Sequence, residues 1–235
     1  MVSPVQMSLG VSLKDDATFA NFYSQGGKNA QALDALKSLA LSQKAESVVL
    51  WGSRGAGLTH LLQASCHQAH LQGLSLQYLP MREVLGYSAE ELCEGMENAQ
   101  LVCVDGIDLV CENRAWEQAM FHLFNNTRDA GHSLLFSSHI NPTTLPIQLP
   151  DLKSRILGSV IYPIESLDDE EKQAAIVMRA HARGFNMPPE VAKYILSHAS
   201  RNTSKLFELL NRLDEASLQQ QRKLTIPFVK DILNL

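Results

Sequence analysis

Residues 48–62 read VVLWGSRGAGLTHLL, Val48 to Leu62. A run of β-branched and apolar residues breaks into a glycine-rich turn and then into an apolar, helix-compatible segment, which is the order a phosphate-binding loop requires. Against the pattern GxxxxGK followed by Ser or Thr, Gly52, Gly57 and Thr59 fall in place, while the lysine position holds Leu58. Gly52, Gly55 and Gly57, with Ala56 between the last two, let the backbone turn tightly with its N–H groups inward. The helix that starts near Thr59 and His60 adds its positive end, so an anion is favoured without any side chain. Thr59 can offer a hydroxyl to Mg2+, and Arg54 is a cation within the loop that partly offsets the missing lysine. Leucine carries no charge and donates no hydrogen bond, so a nucleoside diphosphate suits this loop better than a triphosphate held for hydrolysis. A plain glycine turn in a sheet protein is the competing reading.

Outward from the loop, short apolar strands alternate with helical stretches. Strands are predicted at 48–51, 75–79, 101–105, 133–137 and 160–163, and helices at 30–41, 59–71, 89–96, 115–130 and 152–157. Near-continuous apolar strands separated by helices describe an α/β fold whose parallel sheet is covered on both faces. After Pro163 the pattern changes. Residues 166–183 open with Asp168, Asp169, Glu170 and Glu171 and end with Arg179, His181 and Arg183, so their charges complement a helix dipole at both ends. Pro188 and Pro189 start a second helix, Leu206, Leu209, Leu210, Leu213 and Ala216 stripe a third, and 227–233 make a short fourth. The expected organisation is an extended N-terminal segment over 1–13, a nucleotide-binding α/β domain over 14–165 and a small all-helical domain over 166–235.

Three further places could carry chemistry. The strand LVCVDGIDLV brings Asp105 to the carboxyl end of a parallel strand near the loop, where a metal-facing carboxylate would sit. A strand-end aspartate capping the next turn is the alternative. The neighbouring position, where hydrolytic P-loop proteins usually carry a second acid that polarises water, is Gly106, so self-hydrolysis should be slow or absent. Ser137 and Ser138 leave their strand either as turn formers or as polar groups that sense an outer phosphate. In LPDLKSRI, Pro150 and Asp151 start a helix and Arg155 lies on its next turn. That arginine gains meaning if the helix faces a neighbouring subunit, where a guanidinium could reach the partner's phosphates. Asn21 and Phe22, upstream of the loop strand, could line the base end of a nucleotide.

Composition narrows the classes. A formal charge of −5 argues against a protein that grips nucleic acid with its whole surface. The four cysteines show neither CxxC spacing nor finger-like pairing with histidines, which predicts buried thiols in a reducing cytosol. No apolar run is long enough for a membrane span, and MVSPVQMSLG lacks the features of a signal peptide, so a cytoplasmic protein with no membrane partner is expected. With Leu235 as its last residue, the sequence is expected to carry no further DNA-reading helical module.

Gln6, Met7, Ser8, Leu9 and Val11 resemble the short peptide by which many bacterial replication proteins dock on the sliding clamp, an extended strand with apolar side chains in pockets and a glutamine at the rim. A disordered leader is the other reading. GSRGAGLTHLL, LVCVDGIDLV, LPDLKSRI, NTSKLFELLNRLDEAS and RKLTIPFVKDIL, in that order and spacing, resemble the DnaA-like branch of AAA+ proteins from about Phe19 to Leu235. The resemblance implies an AAA+ three-layer fold with a helical lid. With the initiator's DNA-binding domain absent and a clamp peptide leading, it implies a negative regulator of replication initiation. Such a regulator binds ADP, docks through Gln6, Leu9 and their apolar neighbours on the DNA-loaded sliding clamp (the β subunit of DNA polymerase III), and stimulates hydrolysis of the ATP bound to DnaA. On the matching positions, residues 52–59 hold the nucleotide, Asp105 faces any metal, and Arg155 is an arginine finger offered in trans. Two positions depart from the family: Leu58 replaces the loop lysine, and Ser204 stands where a lid arginine would touch phosphate, with Arg201 and Lys205 nearby. DNA is met mainly through the clamp, and side-by-side self-association, with a dimer as one form, is expected. The rivals are an autonomous AAA+ ATPase and a DNA-binding initiator paralogue.

Overall fold

The computed structural model describes residues 17–24, 27–41, 45–198 and 203–233, with the backbone alone for Gly27, Lys28, Thr203, Ser204 and Leu233. The clamp-peptide residues Gln6, Met7, Ser8, Leu9 and Val11, Arg201 and the Ser204 side chain lie outside the described residues.

Strands β1 (Ser47–Trp51), β2 (Leu76–Pro80), β3 (Leu101–Asp105), β4 (Ser133–Ser138) and β5 (Val160–Pro163) form one five-stranded sheet in the order β2-β3-β4-β1-β5. Every pairing is parallel. The central strands are apolar on both faces because both are covered: all six residues of β4 are buried, as are the first four of β3. Successive side chains of β1 alternate between the faces. Val49 joins Val102, Val104, Leu134 and Phe136 against one helical layer, where Met120, Leu123 and Phe124 of α5 (Arg114–Asp129) meet Leu152 and Ile156 of α6 (Pro150–Leu157). Val48 and Leu50 face the opposite layer, formed by Leu36 of α1 (Gly27–Leu41) and Leu58, Leu61 and Leu62 of α2 (Leu58–Leu71).

The chain adds short elements that periodicity does not reveal: helix α3 (Met81–Val84) and 3-10 turns at Phe19–Asn21 and Ile107–Val110. A single turn is too short to show a hydrophobic period. The helix expected over 89–96 is cut to α4 (Ala89–Cys93), because Gly95 turns left-handed at φ 79° and a 3-10 turn follows over Met96–Asn98.

The helical end has its own core. Helices α7 (Asp169–Ala182), α8 (Pro189–His198), α9 (Thr203–Gln220) and α10 (Ile226–Leu233) enclose Ile176, Val191, Ile195, Leu206, Leu210 and Phe228. Helix α7 starts with a capping box in which Asp168 and Glu171 satisfy each other's backbone N–H groups, so the acidic cluster marks a helix start three residues later than 166. This is a three-layer α/β fold followed by a small all-α domain, the architecture expected. Among the described residues no helix is long and apolar enough to cross a membrane.

Candidate functional site

At the carboxyl end of the sheet, β1 runs into the glycine loop under tight constraint. Ile164 N–H donates to the Trp51 carbonyl (2.7 Å) and Gly52 N–H to the Ser138 carbonyl (3.1 Å). A Cβ on Gly52 would lie 2.4 Å from the Ile164 carbonyl oxygen, so only glycine lets the chain leaving β5 pass. His139 Nδ1 donates to the Gly52 carbonyl (3.1 Å), and its own N–H is held by Asp108 (3.1 Å). The loop closes through Ala56 N–H to the Ser53 carbonyl (3.1 Å). Gly57, at φ 95°, starts α2 with no side-chain cap, leaving the first-turn amides of a 14-residue helix for a ligand. Phe22 lies against the loop, where a Cβ on Gly57 would fall 2.8 Å from its ring, while the Asn21 carbonyl accepts from Arg179 of α7 (Asp169–Ala182). Arg54 and Thr59 are exposed, and Gly55 and Ala56 complete the turn.

Leu58 points inward. It is 2% exposed and belongs to the core with Leu36, Leu61 and Leu62, so the residue at the lysine position anchors the loop to the sheet. His60 is engaged too, in a link to the lid. Its Nε2 donates to the Thr18 carbonyl (2.8 Å) and its Nδ1 accepts from Arg179 Nη2 (3.0 Å). Those two bonds require the neutral Nε2–H tautomer, because a carbonyl and a guanidinium can act only as acceptor and donor respectively. Arg179 is buried in α7, donates Nε–H to the Asn21 carbonyl (3.1 Å) and stacks 3.7 Å above the Phe207 ring of α9. The sequence shows Arg179 only as a basic residue suited to a helix end, and nothing in its spacing marks it as the pin between lid and loop. Ser53 and Ser166 hydroxyls meet at 2.6 Å, and Asn29 brackets the Glu165 backbone with bonds of 2.9 and 3.0 Å, so the interdomain segment is tied down on both sides.

Asp105 sits at the end of β3 as expected, with both oxygens engaged. Oδ1 accepts from Ser137 (2.5 Å) and Oδ2 from Tyr78 (2.8 Å), while Ser137 Oγ accepts from Gly106 N–H (2.8 Å). Burial first, and then the adjacent Asp105 carboxylate, raise the Tyr78 hydroxyl far above its ordinary range and keep it a donor. The carboxylate thus ties β2, β3 and β4 together. Ser138 is the turn former, donating to the Ile140 carbonyl (2.6 Å) and accepting from its N–H (3.1 Å). Burial pushes the thiols of Cys93 and Cys111 up to about 12 and about 11. A hydrogen bond with Cys66, and then burial, raise that of Cys103, so these thiols stay protonated at neutral pH and unreactive.

Arg155 lies at the other end of the sheet. It lines a cleft of about 430 Å3 with Glu46, Ser47, Arg128, His132 and Ser154. Ser47 and Val160, also in its wall, open β1 and β5, so the cleft is at the amino edge, with roughly 16 Å of strand between it and the glycine loop. Arg155 is half-buried, and among the described residues its guanidinium has no ion-pair partner. Its helix is set by Glu117, 1% exposed, whose carboxylate gathers the N–H groups of Glu112 (2.9 Å), Gln148 (3.0 and 3.1 Å) and Leu149 (2.7 Å) just before Pro150. Sequence reasoning missed Glu117, whose only signal is an acid in the first turn of α5.

Residues 13–162 match the model of the bacterial DnaA ATPase domain, and residues 169–233 match that of the Hda lid domain. Domain III of the replication initiation protein DnaA from Thermotoga maritima superposes with a TM-score of 0.79 at 20% identity, covering 95% of this chain and 98% of that one. AMPPCP-bound DnaA from Aquifex aeolicus gives 0.70 at 22% identity over 89% of this chain and 71% of its own. The RuvB Holliday junction branch migration motor of Thermotoga maritima gives 0.66 at 14% identity, over 92% and 73% respectively. At these identities the structural likeness is one of fold, while the DnaA model accounts for well over half of the sequence. The chain therefore belongs to the family of bacterial DnaA ATPase domains within the AAA+ proteins, and it carries a lid of the Hda kind.

Proposed function

We propose that this protein is a negative regulator of replication initiation that binds a nucleoside diphosphate, ADP-like, and stimulates hydrolysis of the ATP held by a DnaA partner, offering Arg155 across the interface. The observation that carries this reading is Arg155 itself: half-buried, without an ion-pair partner among the described residues, and at the sheet edge opposite its own loop. A guanidinium so placed cannot serve the nucleotide of its own chain and is available to another's, where it would stabilise charge as phosphoryl transfer proceeds.

The chain's own loop supports the same division of labour. Backbone amides at Gly57 and the start of α2 suit a phosphate, and the Phe22 ring beside Gly57 supports assigning Phe22 and Asn21 to the base end. Leu58 supplies no charge and Gly106 no acid. Of the groups near the loop that could meet Mg2+, the Thr59 hydroxyl is exposed and each Asp105 oxygen already accepts a hydroxyl, so the proposal gives the metal no role. Nothing in the proposed function is routed through Mg2+. Docking on the sliding clamp is assigned to Gln6, Met7, Ser8, Leu9 and Val11, and side-by-side association to the AAA+ module.

Reconstitution with the clamp, DNA and ATP-bound DnaA, following phosphate release, tests this. Arg155→Ala should abolish stimulation with clamp binding intact, and deletion of residues 1–13 should abolish it through lost clamp binding. Full stimulation by Arg155→Ala would remove the finger assignment, and turnover by the isolated protein would favour an autonomous ATPase.

A further inference from the structure

The cleft that contains Arg155 is larger than one side chain requires, and beside its apolar walls, Ala45, Phe124 and Val160, it gathers a second set of polar groups. Arg128 approaches from the last turn of α5, Arg155 from the last turn of α6, and His132 from the segment entering β4. Ser47 and Ser154 add hydroxyls, and Phe124 is the aromatic wall. His132 donates Nδ1–H to the Glu97 carbonyl (2.8 Å), which fixes the ring. The only carboxylate among the lining residues is Glu46. Arg128 has an acid neighbour in Asp129 at 3.5 Å, but those side chains are 45% and 71% exposed, so the pair is screened and holds the guanidinium weakly. Two guanidinium groups against one carboxylate leave the cleft with net positive charge. Its serines add two donors, so the group it suits is a compact, multiply charged oxyanion.

We propose that this cleft receives the terminal phosphate of the nucleoside triphosphate bound to the neighbouring subunit, with Arg128 as a second interfacial cation beside Arg155. This rests on the reading of Arg155 as a residue offered in trans and extends it to a site with its own composition. Arg128 is the more exposed of the two, so it meets the phosphate first and orients it. Arg155, half-buried and held by α6, supplies the fixed charge. Glu46 opposes both, which makes the charge balance of the cleft, and not merely its shape, the determinant of how well a phosphate is held.

The test uses the full chain with clamp, DNA and ATP-bound DnaA, reading phosphate release, beside a direct measurement of single-stranded DNA binding. Arg128→Ala should lower stimulation about tenfold and Arg128→Lys should recover part of it, since a point charge replaces a fork. Glu46→Gln should raise stimulation about twofold, an effect that loss of structure cannot produce. Clamp binding and melting temperature should stay at wild-type values for all three, because both positions are exposed. Stimulation by Arg128→Ala within about twofold of wild type overturns the assignment. Unchanged stimulation with lost DNA affinity also overturns it, and makes the cleft a nucleic-acid contact. Failure of the wild-type protein to stimulate at all would be distinct from either result, because it removes the functional reading and this site with it.

Discussion

The two ends of one sheet offer anions opposite kinds of donor. At the carboxyl end the candidate phosphate site is made of backbone: Gly52, Gly55 and Gly57 shape it, the first turn of α2 supplies donors, and the residue that would bring charge, Leu58, is packed into the core. At the amino end it is made of side chains, with Arg128 and Arg155 projecting into a cleft and Glu117 fixing the helix that bears one of them. A cradle of amides binds within the chain that forms it and favours charge already present. A guanidinium on a helix can be presented to another molecule and meet charge that develops there. The comparison is what the proposed function rests on, with ligand binding at one end and action on a partner at the other.

The amino end is the easier to break. Glu117→Ala would leave the N–H groups of Glu112, Gln148 and Leu149 without their acceptor, and each such part-buried orphan costs toward the lower end of about 1 to 3 kcal/mol. A loss of about 3 to 5 kcal/mol in urea unfolding is expected, the largest effect of any change considered for either end. Under native conditions the surviving folded protein should lose stimulation while its nucleotide affinity moves by less than about twofold, since the glycine loop is at the other edge. A loss under about 1 kcal/mol would mean that Glu117 is not what sets α6.

At the carboxyl end the comparison is sharpened by restoring the missing charge. Leu58→Lys removes a core side chain that is 2% exposed, and the lysine must either bury its ammonium or pull its stem out toward the loop. A loss of about 2 to 4 kcal/mol in the same unfolding experiment is expected, because the core loses a leucine and the site must accommodate a longer, charged chain. Hydrolysis should not appear, because Gly106 leaves no second acid beside Asp105. Preserved stability together with measurable turnover would show instead that the loop retains room for a catalytic lysine.

Much of this was legible from residues alone. The alternation of apolar strands and helices located all five strands to within about one residue, because a parallel sheet covered on both faces leaves a continuous apolar signal. The glycine spacing located the loop, and Phe22 lies beside it. The partners of those residues were not legible. Leu58 read as a lost lysine, but only packing shows that it faces inward. Asp105 reads in sequence as a metal-facing carboxylate or a turn cap, and its hydroxyl partners do not show there because Tyr78 and Ser137 come from strands 27 and 32 residues away in the chain. Arg179 and Glu117 carry long-range hydrogen bonds with no local pattern, and Arg128 became visible only when α5 and α6 were seen to share a cleft. Periodicity reports which face of an element is buried; it says nothing of which distant polar group waits there.

The smallest effect should come from Asp105, and it separates the two roles a strand-end carboxylate can have. Asp105→Asn keeps size and shape but replaces one acceptor with a donor, so either the Tyr78 or the Ser137 hydroxyl loses its partner. The cost should be about 1 to 2 kcal/mol, that of one buried hydrogen bond. If the carboxylate serves the sheet, nucleotide affinity by calorimetry stays within about twofold of wild type, in Mg2+ and in chelator alike. A metal-bound carboxylate behaves differently, because losing its charge weakens the ion and with it the phosphates the ion bridges. An affinity loss of about tenfold in Mg2+, absent in chelator and with the melting temperature unchanged, would return Asp105 to the metal role. It would also place fixed side-chain charge at both ends of the sheet, and the division between a backbone site and a side-chain site would no longer hold.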